Sequence, residues 1–375
     1  MKNIFIVLLV LTLFLQPLCA SAETIEFTAK SAILMEACTG EVLYELNADD
    51  PLPPASVTKI MTILLVMEAI DNGKILLTDK VSISANAANM GGSQVYLEVG
   101  EQMTVDELLK CVVVASANDA ATALAEYCSG SEEAFVTKMN KRALELGMIN
   151  THFENTNGLD DTTENHVTSA RDIAIMSKEL LKHEKIFDYT TIWMDTIRNG
   201  SFGLTNTNRL IRYYKGATGL KTGSTSKAGF CISASAKRNG LHLISVVMGS
   251  NTRDDRNQTA ITLLDYGFAN FTFYENDPEE ITLQVLGSTK KQITVSCADP
   301  FRKLIAKDKK EKVSFIIELP EYLTSPIQKG DTIGKVIYYL DQEVIGEVEI
   351  VAKESARRIE FADLFKILLK KLAIF

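Results

Sequence analysis

Apolar and polar positions alternate at the start of the folded region. "SAILMEA" and "GEVLYEL" flank Cys38-Thr39-Gly40 and predict an antiparallel hairpin. The period then lengthens. "KIMTILLVMEAI" is almost wholly apolar and reads as a buried helix. "TVDELLKCVVVAS" opens with Thr104 and places Glu107 three residues on, a capping box that starts a second helix. Ser116-Ala117-Asn118 turns that helix into a third, "DAATALAEYC". "EEAFVTKMNKRALELGM" and "SARDIAIMSKELLKH" predict two more. After about residue 215 the two-residue period returns. "AGFCISASAKR" and "LHLISVVMGS" surround Asn239-Gly240, the strongest short hairpin signal, and "QTAITLLDYGFANF" closes with a helix. Strand pair, helices, strand pair and helix describe an α+β domain, an antiparallel sheet covered by helices with a helical insertion.

From residue 276 the chain is β-rich. "EEITLQVL", "KQITVSC", "KVSFIIELP", "KVIYYLD" and "VIGEVEIVA" are short runs parted by charged or Gly/Pro turns. They predict a small all-β domain over 276–353, after a first domain over 23–275. Residues 354–375 end in a different pattern. Phe361, Leu364, Phe365, Leu368, Leu372 and Phe375 share one helix face, and Glu360, Asp363, Lys366, Lys370 and Lys371 gather on the other. The last 19 residues carry +3 in a chain whose net charge is −9. The charge reversal favours a helix lying on an anionic membrane surface over one packed on a neighbouring domain. Lysines interrupt it too often for it to span a bilayer.

The N-terminus reads as an export signal over 1–22. Lys2 is followed by the apolar run Ile4–Leu15, and Ala20-Ser21-Ala22 fits a cleavage site. An uncleaved anchor is the alternative. Leu18 before Cys19 argues against lipid attachment. Without Lys2 the net charge becomes −10, and nothing basic enough for nucleic acid is present. Five cysteines remain beyond the signal: Cys38, Cys111, Cys128, Cys231 and Cys297. Their odd number and scatter form no disulfide framework, no pair has zinc-site spacing, and most read as small core residues. No metal or other cofactor is implied.

One stretch is chemically odd. "PPASVTKIMT" puts Lys59, a strongly hydrated cation, at the head of an apolar helix. Positions three apart share a helix face, so Lys59 reaches Ser56. A serine hydroxyl needs a neighbouring base to become a nucleophile, and a desolvated lysine can be one. Ser-x-x-Lys alone is common, and an ordinary helix start with a solvated lysine is its default reading. Two further elements follow in order: Ser116-Ala117-Asn118 at a helix turn, and Lys221-Thr222-Gly223 on a strand before the hairpin. Each has a plainer reading, as a helix cap or a strand bend. All three together are the signature of β-lactamases and penicillin-binding proteins.

With "VVASANDAATALAE", "NTHFENTNGLDD", "NHVTSARDIA", "GLKTGSTSKAGFC" and "LLDYGF", the chain resembles the serine-type D-alanyl-D-alanine carboxypeptidases, the low-molecular-mass penicillin-binding proteins. The resemblance runs from export signal to tail. It implies a β-lactamase/transpeptidase-like catalytic domain with a helical subdomain. It also implies a role at the outer face of the cytoplasmic membrane. The implied substrates are peptidoglycan stem peptides, with β-lactams as covalent inhibitors. Ser56 would attack the penultimate D-alanine carbonyl, Lys59 would take its proton, and Ser116 would relay a proton to the leaving residue. Asn118 would hold the substrate amide and orient Lys59, and Lys59 is expected to face Ser116 as well. Thr222 would bind the terminal carboxylate, with Lys221 giving the positive potential, Gly223 completing this substrate-binding motif, and backbone N–H groups of Ser56 and Ser224 as oxyanion donors. Arg256 sits near a family arginine that binds the carboxylate, with a surface arginine paired to neighbouring acids as the alternative. Some relatives carry histidines where Asn157 and Ser224 stand here, so no role is carried over from those. A β-lactamase is the nearest rival. Its deacylating Glu-x-x-x-Asn spacing is not matched by Glu154 and Asn157. An endopeptidase or transpeptidase would use the same site, and a non-catalytic wall-binding scaffold is the remaining class.

Overall fold

A computed structural model describes residues 28–372. The signal expected over 1–22, and Phe375 of the tail, lie outside the described residues.

The first and last strand groups join in one five-stranded sheet. Its order is Val42–Leu46, Ser31–Glu36, Leu241–Ser250, Gly229–Arg238 and Ala217–Thr225, and every neighbouring pair is antiparallel. Both faces of the sheet are covered, which explains why "LHLISVVMGS" shows no polar alternation. Ile33, Met35, Val246 and Met248 point into a core shared with helices Lys59–Asp71, Val105–Val114 and Ala170–Leu180. Ala32, Leu34, Leu243 and Val247 point the other way, against helix Arg253–Asn270. Thr104 and Glu107 form the expected capping box at the start of Val105–Val114. Asn239 and Gly240 both have positive φ, as the tight hairpin turn requires.

The closing helix differs from expectation at both ends. It begins at Arg253, where the Thr252 side chain accepts the Asp255 N–H and Asp254 and Asp255 meet the positive end of the helix dipole. It stops at Asn270, because Phe271 turns extended and opens strand Phe271–Asn276. That strand pairs with Phe301–Ala306, so the junction read between residues 275 and 276 falls within it.

The C-terminal sheet has six strands, ordered Val313–Glu318, Thr332–Leu340, Glu343–Ala352, Gln292–Cys297, Ile281–Leu286 and Tyr322–Thr324. Leu283, Val285, Ile293, Val295, Val336 and Tyr338 form its core. Phe301–Ala306 and Tyr322–Thr324 were hidden in the sequence. Arg302 and Lys303 break the alternation of the first, and the second is only three residues long. Phe361–Leu372 is helical, and its apolar residues are exposed, Phe361 at 83% and Leu368 at 58%. No described helix is long and apolar enough to cross a membrane. The five cysteines among the described residues are all unpaired. Cys111 and Cys231 are core residues, Cys128 and Cys297 are half-buried, and Cys38 is exposed in the first hairpin turn.

Candidate active site

The stretch around Ser56 folds tightly because two prolines precede it. Ala55–Thr58 forms a 3₁₀ turn and Lys59 begins the α-helix. Ala55 is held at φ 49°, a left-handed conformation that costs a non-glycine residue about 1–3 kcal/mol. The turn leaves Ser56 half-buried and Lys59 fully buried. Lys59 Nζ lies 2.8 Å from Ser56 Oγ, 2.5 Å from Asn118 Oδ1 and 2.8 Å from the Asn157 carbonyl oxygen. These are three neutral groups. Burial, and then the charge of Lys221, push the Lys59 pKa well below the usual lysine value, against the weaker pull of Asp119.

Asn118 opens the helix Asn118–Ser129 and is itself fixed. Its amide nitrogen donates to the Gly91 carbonyl and its backbone N–H to that of Ser93. Beside it, the buried Asp119 carboxylate accepts the N–H groups of Val95 and Leu97. The loop 91–97 is thereby drawn to the site, with Ser93 on its rim.

Ser116 was expected to face Lys59. The hydrogen-bond partner of Ser116 is instead Lys221: its Oγ accepts from Lys221 Nζ at 2.7 Å. The remaining acceptor of Lys59 is the Asn157 carbonyl, which the motifs did not reveal. Ser116 also sits at positive φ, 62°, in the turn between helices. Lys221 is 1% exposed and donates in addition to the Thr222 carbonyl. Burial, helped by Arg256, pushes its pKa down to about 7.

Strand Ala217–Thr225 passes directly against the Ser56 turn. A Cβ on Gly223 would stand 2.7 Å from the Ser56 nitrogen and 2.9 Å from the Pro54 oxygen. Only glycine lets the two backbones approach this closely. Thr222 Oγ1 donates to Thr207 Oγ1. Ser56, Ser116, Thr222, Gly223, Ser224 and Arg256 all line one cleft of about 560 Å³, while Lys59, Asn118 and Lys221 are buried behind it. Arg256 is not a surface residue. It is 3% exposed, forms no ion pair with neighbouring acids, and reaches Asn257 Oδ1 and the Cys231 carbonyl. Its pKa falls to about 10 through burial and the charge of Arg253. Glu154 accepts the N–H groups of Glu164 and Asn165 and does not line the cleft.

Sequence reasoning missed His166. It is buried, and its Nδ1 accepts the Glu154 N–H at 3.0 Å, so Nε2 carries the proton. Nε2 donates to Thr58 Oγ1 at 2.8 Å, and Thr58 donates on to the Ala55 carbonyl. Gly158, at φ +83°, packs so close that a Cβ would stand 1.9 Å from that same oxygen. The chain of bonds ties the loop holding Asn157 to the turn holding Ser56. "NHVTSARDIA" contained the histidine, but only its position behind Thr58 gives it meaning.

Fold and site together define a penicillin-binding protein with a serine and a lysine at its centre. A profile of the D-alanyl-D-alanine carboxypeptidase family matches residues 18–252, and one of the penicillin-binding protein 5 C-terminal domain matches 268–358. D-alanyl-D-alanine carboxypeptidase DacF of Bacillus subtilis (strain 168) is 45% identical over 345 residues, 90% of this chain and 88% of the relative. Penicillin-binding protein 5 from Haemophilus influenzae superposes with a TM-score of 0.73 at 34% identity, covering 89% of this chain and 98% of that one. Penicillin-binding protein D2 from Listeria monocytogenes, solved in an ampicillin-bound form, superposes with a TM-score of 0.60 at 32% identity. It covers 65% of this chain and 98% of that one. The chain belongs to the D-alanyl-D-alanine carboxypeptidase family, serine peptidases of peptidoglycan metabolism.

The neutral His166 makes an acid-stability prediction. Burial, opposed by Glu154, lowers its pKa to about 4 in the fold, against about 6.5 unfolded. Above pH 6.5 both states are neutral. Between 6.5 and 4 the unfolded chain takes the proton first, so stability falls as pH falls through that window. His166 accounts for about 3 kcal/mol of the loss, and His242, also lowered to about 4, acts in the same direction. Urea unfolding of His166→Gln should show a shallower decline from pH 7 to 4.5 than the parent. An unchanged decline would contradict the neutral-histidine chain.

Proposed function

We propose that the chain removes the terminal D-alanine of a peptidoglycan stem peptide through an acyl-enzyme on Ser56. The observation that carries this reading is Lys59: buried, depressed in pKa, and in contact with the Ser56 hydroxyl. A neutral amine has two N–H donors and one lone pair. Asn118 Oδ1 and the Asn157 carbonyl take the donors, which leaves the lone pair to accept the Ser56 proton. Ser56 Oγ then attacks the carbonyl of the penultimate D-alanine.

The backbone N–H groups of Ser56 and Ser224, on either side of the Gly223 contact, receive the developing oxyanion, at about 3 kcal/mol per donor. Ser116, bonded to Lys221, passes a proton to the departing amine. Thr222 and Arg256 receive the terminal carboxylate in the field of Lys221. Water hydrolyses the ester. A β-lactam acylates the same oxygen and leaves slowly, because its leaving group stays tethered. Glu154 is held by backbone N–H groups away from the cleft, which speaks against a β-lactamase water base there.

Incubation with a D-Ala-D-Ala peptide should release free D-alanine, and labelled penicillin should remain on Ser56. Ser56→Ala should lose at least about a thousandfold in turnover and all of the label. Fast penicillin hydrolysis without D-alanine release would favour a β-lactamase, and neither activity in folded protein would favour a wall-binding scaffold.

The C-terminal β-sheet serves as a spacer between the cleft and a membrane-surface anchor at the outer face of the cytoplasmic membrane. The exposed apolar face of Phe361–Leu372, opposite Lys366 and Lys370, supports the anchor. The Listeria structure, nearly all of it matched by 65% of this chain, supports a catalytic part that stands alone. A chain lacking residues 357–375 should lose co-sedimentation with phosphatidylglycerol vesicles and keep D-alanine release. Equal sedimentation of the two would exclude the anchor.

A further inference from the structure

The cleft holds more positive charge than one carboxylate requires. Arg209, Arg253 and Arg256 all line it. Arg253 and Arg256 are three residues apart on one helix and share a face. Arg209 comes from a separate element, at the N-terminal edge of the turn Leu210–Tyr213. The three are close enough that both Arg253 and Arg209 depress the pKa of Arg256. Arg209 and Arg253 are exposed at the mouth, and neither side chain has a hydrogen bond or ion pair among the described residues. Asp254 lies near Arg256, but its opposing influence is the smallest of those acting there. Like charges gathered with little counter-charge repel, and an arriving anion relieves that repulsion.

On the functional reading above, the terminal carboxylate occupies Thr222 and Arg256. Two guanidinium groups beside it are then without an anion. Trp193 and Tyr213 line the same cleft, and Tyr213 is 72% exposed, so apolar surface is available for methylene groups.

We propose that Arg209 and Arg253 form a second anion subsite on the leaving-group side. Through it the enzyme releases acidic D-amino acids, or peptides beginning with one, as well as D-alanine. The proposal rests on the carboxypeptidase reading and names a further substrate class for the same site. The chemistry is unchanged. Ser56 Oγ bonds to the D-alanyl carbonyl carbon, the C–N bond breaks, and the hydroxyl proton ends on the departing amine. Water then splits the ester and restores the Ser56 hydroxyl. What changes is the leaving residue, which carries a side-chain carboxylate besides its backbone one.

Three peptides identical up to the penultimate D-alanine test this, ending in D-alanine, D-glutamate or D-glutamine. The last two are nearly isosteric and differ in charge. The full chain should show a kcat/KM for D-glutamate roughly fivefold above that for D-glutamine, the scale of exposed ion pairs. The ratio should shrink in high salt. In Arg209→Gln/Arg253→Gln the ratio should fall to about one, with an unchanged melting temperature reporting that the variant is folded. Equal rates for D-glutamate and D-glutamine in the parent, or an unchanged ratio in the variant, would overturn the subsite while D-alanine release upholds the functional reading. Failure to release any of the three residues would overturn both.

Discussion

Two lysines without carboxylate partners are buried side by side, and the site is organised around that constraint. Lys59 and Lys221 are each at most 1% exposed, and neither makes an ion pair among the described residues. Burial of an unpaired ammonium is costly, and the cost is met by lowering the pKa and by surrounding each nitrogen with neutral acceptors. Lys59 has Ser56, Asn118 and the Asn157 carbonyl, and Lys221 has Ser116 and its neighbour's carbonyl. Each cation also lowers the proton affinity of the next: Arg256 acts on Lys221, and Lys221 acts on Lys59. A line of cations thus runs from Arg256 through Lys221 to Lys59, and on the proposed function its last member is the one needed as a neutral base.

The remaining architecture holds these acceptors in place. The 3₁₀ turn at Ala55–Thr58 aims Ser56 at Lys59, and the Gly223 contact locks that turn against the sheet. His166 and Gly158 fasten the loop that supplies the Asn157 carbonyl. Among the positive-φ residues, Ala55 and Ser116 lie in the turns that carry the site, where backbone strain is accepted for geometry. The sheet is buried on both sides, so its strands form a rigid base for Lys221 and Thr222.

Much of this was legible in the chain because it depends on local spacing. Ser56 and Lys59 are three apart, the Thr104–Glu107 capping box announces its helix, and Asn239-Gly240 announces its hairpin. The central sheet followed from two strand groups parted by helices. What stayed hidden was non-local or backbone-borne. A carbonyl such as that of Asn157 has no side-chain signature. The pairing of Ser116 with Lys221 rather than Lys59 depends on how the strand crosses two helix starts. Whether Arg256 faces the site or the surface stayed open in the sequence, because the helix start that turns it inward was read five residues too late. Strand Phe301–Ala306 was lost to two consecutive cations, Arg302 and Lys303, both exposed at the sheet surface.

The central claim is that Lys59 is neutral when Ser56 attacks. The rate of Ser56 acylation by a penicillin, followed in single turnover against pH, measures this most directly. The account predicts that the rate rises with pH and levels off well below the ordinary lysine value of about 10.4. A rate still climbing through that value would mean that Lys59 titrates like a solvated lysine, and would contradict the account.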